Sequence, residues 1–180
     1  MTKKVLVLSA SFRKHGNSDM LCDRFIQGAR EAGNEVEKIY VSDMRIGYCR
    51  GCGVCNRTHK CVQNDDMAAV LDKMVAADVI VMATPVYFYS MNGQLKTLID
   101  RTVPRHEEMR GKDFYYIVAA ADDNRDNMRR TIEGFRAFAD DCLEGSREKG
   151  IVYGVGAWQA GDIKSSPAMQ EANEMGRGVK

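Results

Sequence analysis

Four cysteines crowd into thirteen residues of this 180-residue chain, at Cys49, Cys52, Cys55 and Cys61. The C-x2-C-x2-C-x5-C spacing lets three thiolates wrap three corners of a cubane cluster and leaves a corner for the fourth. Gly51 and Gly53 permit the tight, N–H-rich turns that such clusters need. The longer final gap and the absence of a following proline separate this run from the bacterial ferredoxin pattern. Other readings stand beside an iron–sulfur cluster. Zinc can take four thiolates, or three with His59. The thiols can also be free and redox-reactive, or mere packing and interface residues. Cys22 and Cys142 lie apart, on segments of helical spacing, and are expected in the core.

Two further stretches suit a ligand. The first is Ser9-Ala10-Ser11-Phe12-Arg13-Lys14-His15-Gly16-Asn17-Ser18. It joins an apolar run to a helical pattern, so its far end is a helix N-terminus, where unpaired N–H groups and the dipole favour a phosphate. Ser11, Asn17 and Ser18 can add side-chain donors, Arg13 can neutralise charge, and Gly16 lets the backbone bend round an anion. The same residues also read as a polar turn with Asn17 or Ser18 as a plain helix cap. Neither a nucleoside-triphosphate loop nor a G-x-G-x-x-G fingerprint occurs here; Gly154-Val155-Gly156-Ala157-Trp158-Gln159 comes nearest and opens no evident helix. The second stretch is Ala83 to Gly93, rich in rings at Tyr87, Phe88 and Tyr89. Such a loop suits a flat heterocycle, or packs on the next helix. No Ser–His–Asp or Cys–His constellation with hydrolase spacing appears, and no catalytic acid or base is assigned.

These stretches need elements to hold them. Lys4–Leu8 and Val79–Ala83 are continuous apolar runs, as expected of strands buried on both faces. Val36–Val41, Phe114–Ala120 and Ile151–Val155 complete five strands. Between them lie helical patterns: Leu21, Phe25, Ala29 and Ala32, ended by Gly33; Met67, Val70, Leu71, Met74 and Val75, capped by Asn64 or Asp65; Leu95, Leu98 and Ile99; and Met128, Ile132, Phe135, Ala139 and Cys142. Ser166-Pro167 opens a last helix. Five alternations predict an α/β, doubly wound parallel sheet with right-handed crossovers. The chain reads as one domain over 1–180, with a cysteine-rich loop at 42–64.

Composition narrows the function. Twenty-six basic and 25 acidic residues leave a formal charge of +1, which offers no footprint for nucleic acid and no polybasic run for a membrane. No apolar stretch reaches a membrane span. Lys3 and Lys4 before Val5–Leu8 resemble a signal peptide, but the run is too short and Arg13-Lys14-His15 follows. A cytoplasmic protein is expected.

S-x-R-x-x-G-N-S at 11–18, A-T-P-V-Y-F-Y-S-M at 83–91, Leu95-Lys96 and Ile99-Asp100-Arg101 together resemble the flavodoxin-like NAD(P)H-dependent FMN reductases. With the cysteine run, the chain is most similar to their iron–sulfur flavoprotein branch. The resemblance spans about Val5 to Ala121. It implies a flavodoxin-like five-stranded sheet of order 2-1-3-4-5. It implies FMN, with its phosphate on Ser11, Arg13, Asn17 and Ser18, its ring against Pro85, Val86, Tyr87, Phe88 and Ser90, and further contacts from Ala120, Ala121 and Asp122. It implies Cys49, Cys52, Cys55 and Cys61 as ligands of a [4Fe-4S] cluster, and a homodimer or homotetramer. The expected activity is hydride uptake from NAD(P)H, with electrons passed to a small-molecule or protein acceptor in a ping-pong cycle; an FMN/iron–sulfur electron carrier between ferredoxin-like partners is the alternative. The sequence departs from the family at Ala10 and Phe12, where Gly and Pro are common, and at Ala119–Asp123, where the family is glycine-rich. Little after Arg129 matches.

Overall fold

The computed structural model describes all 180 residues. Its strands are β1 (Lys4–Ser9), β2 (Glu35–Tyr40), β3 (Val79–Tyr87), β4 (Ser90–Met91), β5 (Asp113–Ala119) and β6 (Arg147–Gly154). Its helices are α1 (Asn17–Glu31), α2 (Cys55–Thr58), α3 (Met67–Ala76), α4 (Gly93–Asp100), α5 (Arg129–Cys142) and α6 (Ala168–Arg177). The parallel sheet runs β2-β1-β3-β5-β6, and β4 folds back antiparallel on the end of β3. Counted without that two-residue ribbon, this is the expected 2-1-3-4-5 order.

The period-2 alternation of the strands divides the core. Leu6, Leu8, Ile80 and Met82 face a layer that includes Val70, Met74, Leu95, Leu98 and Phe135. Val5, Val7, Val79 and Val81 face Leu21, Phe25 and Ala172. Both faces being covered, β1 and β3 could be read as unbroken apolar runs. The edge strand β6 was harder to delimit. It begins at Arg147, four residues before the expected Ile151, because an edge strand tolerates charge: Glu148 pairs with Arg136 at 2.8 Å.

Gly33, at φ +87, ends α1 as expected. The adjoining Ala32 is exposed at the cap instead of joining the stripe. Cys22 is buried, and burial pushes its thiol up to about 12. Cys142 is exposed, against expectation. The stripe Phe135, Ala139 continues at i+4 to fully buried Leu143, and Cys142 falls off it. Helix α1 meets the last helix, α6, backbone to backbone. A Cβ at Gly28 would stand 2.0 Å from the Asn173 carbonyl oxygen, and one at Gly176 would stand 2.1 Å from that of Phe25. No helix is long and apolar enough to cross a membrane.

Candidate functional site

The turn from β1 into α1 is built from its own side chains. The Arg13 N–H donates to Ser11 Oγ (3.1 Å) and the Gly16 N–H to the Arg13 carbonyl (2.8 Å). A Cβ at Gly16 would lie 2.8 Å from that carbonyl, so the turn closes this tightly only round glycine. His15 takes a left-handed φ of 59 and its N–H donates to Asp19 (2.8 Å). Asp19 is fully buried and also bonds Ser9 Oγ (2.8 Å) and Lys38 Nζ (2.6 Å). Burial opposes its charge, but the bonds from Lys38, the His15 N–H and Ser9 outweigh burial and hold the carboxyl below the usual range. With the turn so fixed, the N–H groups of Asn17, Ser18 and Asp19 have no acceptor in the chain. Three free donors at a helix N-terminus suit an anion.

These donors open on a cleft of about 400 Å³ at the carboxyl ends of β1, β3 and β5. Ser11, Arg13, Asn17 and Ser18 line it, as does Gly16. The Ser18 hydroxyl has no partner in the protein. Asn17 differs from expectation. Its Nδ2 donates to the carbonyls of Ala157 (3.1 Å) and Gln159 (2.8 Å), while Oδ1 accepts from the N–H groups of Gly161 (3.0 Å) and Ile163 (3.4 Å). The side chain clamps the loop after β6, and what Asn17 leaves for an anion is its main-chain N–H.

The other wall is flat and apolar. Pro85, Val86, Tyr87 and Phe88 line it, with Ala119, Ala120 and Ala121. β3 runs on to Tyr87, beyond the expected Ala83, then reverses through Phe88 (φ 48) and Tyr89 (φ 64) into β4. Two successive positive φ values define a type I′ hairpin turn, where Asn-Gly is the usual pair; aromatic side chains there are strained. The turn is pinned by Thr131 Oγ1, which donates to the Tyr89 carbonyl (3.1 Å). Ser90 pairs with Tyr87 across the hairpin and is not in the cleft wall. Asp122 is absent from the wall as well. Its carboxylate folds back on the Asn124 N–H (2.9 Å) and Asn127 Nδ2 (2.7 Å).

Three contributors escaped the sequence reading. Ala157 and Trp158 close the cleft from the loop after β6, where the Ala157 N–H bonds the Ala120 carbonyl (2.8 Å). The chain's one tryptophan beside Gly156 was the available signal. Asn92 is buried and joins the two walls. Its Nδ2 donates to the Ala10 carbonyl (2.6 Å), its N–H to Thr84 Oγ1 (3.0 Å), and its Oδ1 caps α4 at the Leu95 N–H (3.2 Å). Nothing in its sequence context marks it beyond an ordinary N-cap.

The cysteine loop leaves the same end of the sheet. Its stem is a short ladder: Arg45 N–H to Asp66 (2.6 Å), Gly47 N–H to Asp65 (3.0 Å) and Gln63 Nε2 to the Tyr48 carbonyl (3.0 Å). Gly51 and Gly53 both take positive φ, 62 and 67. Cys49, Cys52, Cys55 and Cys61 all line one cavity of about 200 Å³. No three of the sulfurs lie within 4.8 Å of one another; the trio that does is His15, Asp19 and Asp23, and Lys38 already bridges the two carboxylates. Four thiols round one cavity are a donor set that suits an iron–sulfur cluster or zinc. The wall also holds buried Arg101, whose Nη1 reaches the Gly47 carbonyl (2.6 Å) and Asp65 (2.7 Å) and whose Nη2 reaches Asp65 (3.0 Å) and Cys61 Sγ (3.4 Å).

Strand order, layers and a cleft at the carboxyl edge define a flavodoxin-like protein. Residues 3–131 match the NADPH-dependent FMN reductase family, and the chain belongs to it. An iron-sulfur flavoprotein of Archaeoglobus fulgidus is 38% identical over 101 residues, 56% of this chain and 46% of that protein. One from Methanocaldococcus jannaschii is 30% identical over 162 residues, covering 86% of this chain and 81% of its own. The chain spans about half the length of several other curated relatives it matches. In fold it is similar to an NAD(P)H:quinone oxidoreductase from Methanothermobacter marburgensis, with a TM-score of 0.76 at 16% identity over 98% of this chain and 96% of that one.

Proposed function

We propose that the chain is one FMN-binding domain that takes hydride from NAD(P)H and passes electrons to a second acceptor at the same site. The observation that carries this reading is the two-ended cleft: free helix-terminal N–H groups, Ser18 and Arg13 at one end, and a flat apolar wall from Pro85 to Phe88 at the other. A phosphate and a heteroaromatic ring on one ligand answer those two ends. FMN, when bound, supplies a ring that accepts hydride and returns electrons singly or in pairs. The protein's part is to hold and shield. The α1 N-terminus, Ser11, Ser18 and Arg13 fix the phosphate, and Asp19 keeps their turn in shape. Pro85, Val86 and Tyr87, with main-chain groups of Phe88 and Ala121, hold the ring edge, and Trp158 screens the cleft from water. With one cleft for both, donor and acceptor take turns over the same ring, which is a ping-pong cycle.

Tyr87, Phe88 and Trp158 line the cleft and are exposed, and Tyr89, next to Phe88 in the hairpin turn, is exposed as well. That apolar rim supports a homodimer or homotetramer closing over it. A loop of reduced thiols fits a cytoplasmic compartment. The test is flavin analysis of the purified protein, followed by steady-state NAD(P)H oxidation with a soluble quinone. About one FMN per chain and parallel double-reciprocal lines support the reading; tightly bound FAD, or no FMN uptake at micromolar levels, defeats it. A second reading rests on the four cysteines round one cavity: they would hold a [4Fe-4S] cluster and make the chain an electron carrier between ferredoxin-like partners. Iron and sulfide analysis after anaerobic reconstitution separates the two.

A further inference from the structure

Arg101 lies outside the cleft, at the end of α4, and is 2% exposed. Its guanidinium does three things at once. It holds the start of the cysteine loop through the Gly47 carbonyl, holds its end through a two-point bond to Asp65, and donates to the sulfur of Cys61 at 3.4 Å. Four of its five N–H donors are thereby used. The fifth, on Nε, is buried and has no acceptor in the protein. A buried cation of this kind normally has every donor satisfied. An orphan donor on a residue that lines a cavity of four thiols points to an acceptor that belongs in that cavity.

We infer that Arg101 is the positioning residue of the cysteine site, closing its loop and setting the reduction potential of the cluster it holds by donating N–H to sulfur. This rests on the cluster reading above. The physical reason is charge. One-electron reduction of a thiolate-bound cluster adds a negative charge and no proton. A hydrogen bond to a ligand sulfur and a nearby guanidinium both stabilise that extra charge, so both raise the potential. Lysine keeps the charge but not the planar fork that serves Gly47, Asp65 and Cys61 together.

The experiment compares wild type, R101K and R101Q/D65N after anaerobic reconstitution. The double variant removes the guanidinium and the carboxylate it pairs with together, so it reads the inference even if R101K folds poorly. Iron and sulfide are counted, circular dichroism checks the fold, and an EPR-monitored titration with dithionite gives the midpoint. Both variants are expected to shift to lower potential by at least tenfold in the electron-exchange constant, about 59 mV for one electron. Loss of iron and sulfide from R101K with secondary structure retained also supports the clamp. A wild-type midpoint in both variants overturns the inference and leaves the cluster standing. A wild type that takes up no iron or sulfide overturns the cluster reading and this inference with it.

Discussion

Ser18 and Asn17 are adjacent in the chain and divided in their work. The Ser18 hydroxyl is uncommitted, so Ser18→Ala should weaken FMN binding by about 10- to 100-fold, the range for one hydrogen bond to a charged group. Fluorescence titration reads it, and an unchanged dissociation constant would move the phosphate elsewhere. Asn17 spends its amide on the loop that carries Ala157 and Trp158. Asn17→Ala is therefore expected to lower stability by roughly 1–3 kcal/mol in urea unfolding, with FMN affinity following indirectly. Asp19 gives a pH signature. Its carboxyl is held below the ordinary range, chiefly against burial, by Lys38, the His15 N–H and Ser9. The stability it adds is complete above the unfolded carboxyl pKa of about 3.9 and is lost as pH falls through the lower folded value. The stability gap between wild type and Asp19→Asn should thus shrink on acidification below about pH 4; a gap that stays constant down to pH 2 would show that the charge contributes nothing.

Among the elements, the hairpin Val86–Met91 carries the clearest local conflict. Phe88 and Tyr89 occupy the two left-handed positions of the turn, each at a cost of roughly 1–2 kcal/mol. The double variant Phe88→Asn, Tyr89→Gly should be more stable than wild type in urea and should bind FMN less well. Equal or lower stability would mean that the aromatic contacts outweigh the strain. This turn also shows why the sequence was only partly legible. The apolar runs of β1 and β3, the Gly33 stop and the presence of a turn between β1 and α1 are local signals legible in the sequence; the cap of α1 is not, since Gly16 stands there instead of Asn17 or Ser18. The end of β3 was not, because Tyr-Phe-Tyr-Ser carries no turn residue of the usual kind. Asp122 and Ser90 could not be excluded from the cleft without knowing that one folds into its own turn and the other pairs across the hairpin. Arg101 reaches Asp65 and Gly47, 36 and 54 residues away, Asn92 reaches Ala10, 82 away, and the Trp158 carbonyl meets Arg13, 145 away, and no spacing rule reaches that far.

At the scale of the molecule, the exposed rings at the cleft mouth make a prediction about assembly. Phe88 is fully exposed and Trp158 is 70% exposed, so the double variant Phe88→Ser, Trp158→Ser should abolish the proposed homo-oligomer. Sedimentation velocity at tens of micromolar reads the change, since weak dimers still associate at such concentrations. A wild type that sediments as a monomer there would refute the closed-mouth arrangement.

The close approach of α1 and α6 at Gly28 and Gly176 bears on how this chain can be recombined. The family match ends at residue 131, yet Ala157, Trp158 and the whole of α6 come later. A graft that exchanged everything after residue 131 for a relative's segment would bring a foreign helix against α1. Unless its residue opposite Phe25 were also glycine, a side chain would have to enter a gap of about two ångströms. The graft would tilt α1 away, and its N-terminus would no longer meet the cleft. The segment after residue 131 is thus not an interchangeable cassette: the two glycines are a matched pair of keys, and a working chimera must inherit both.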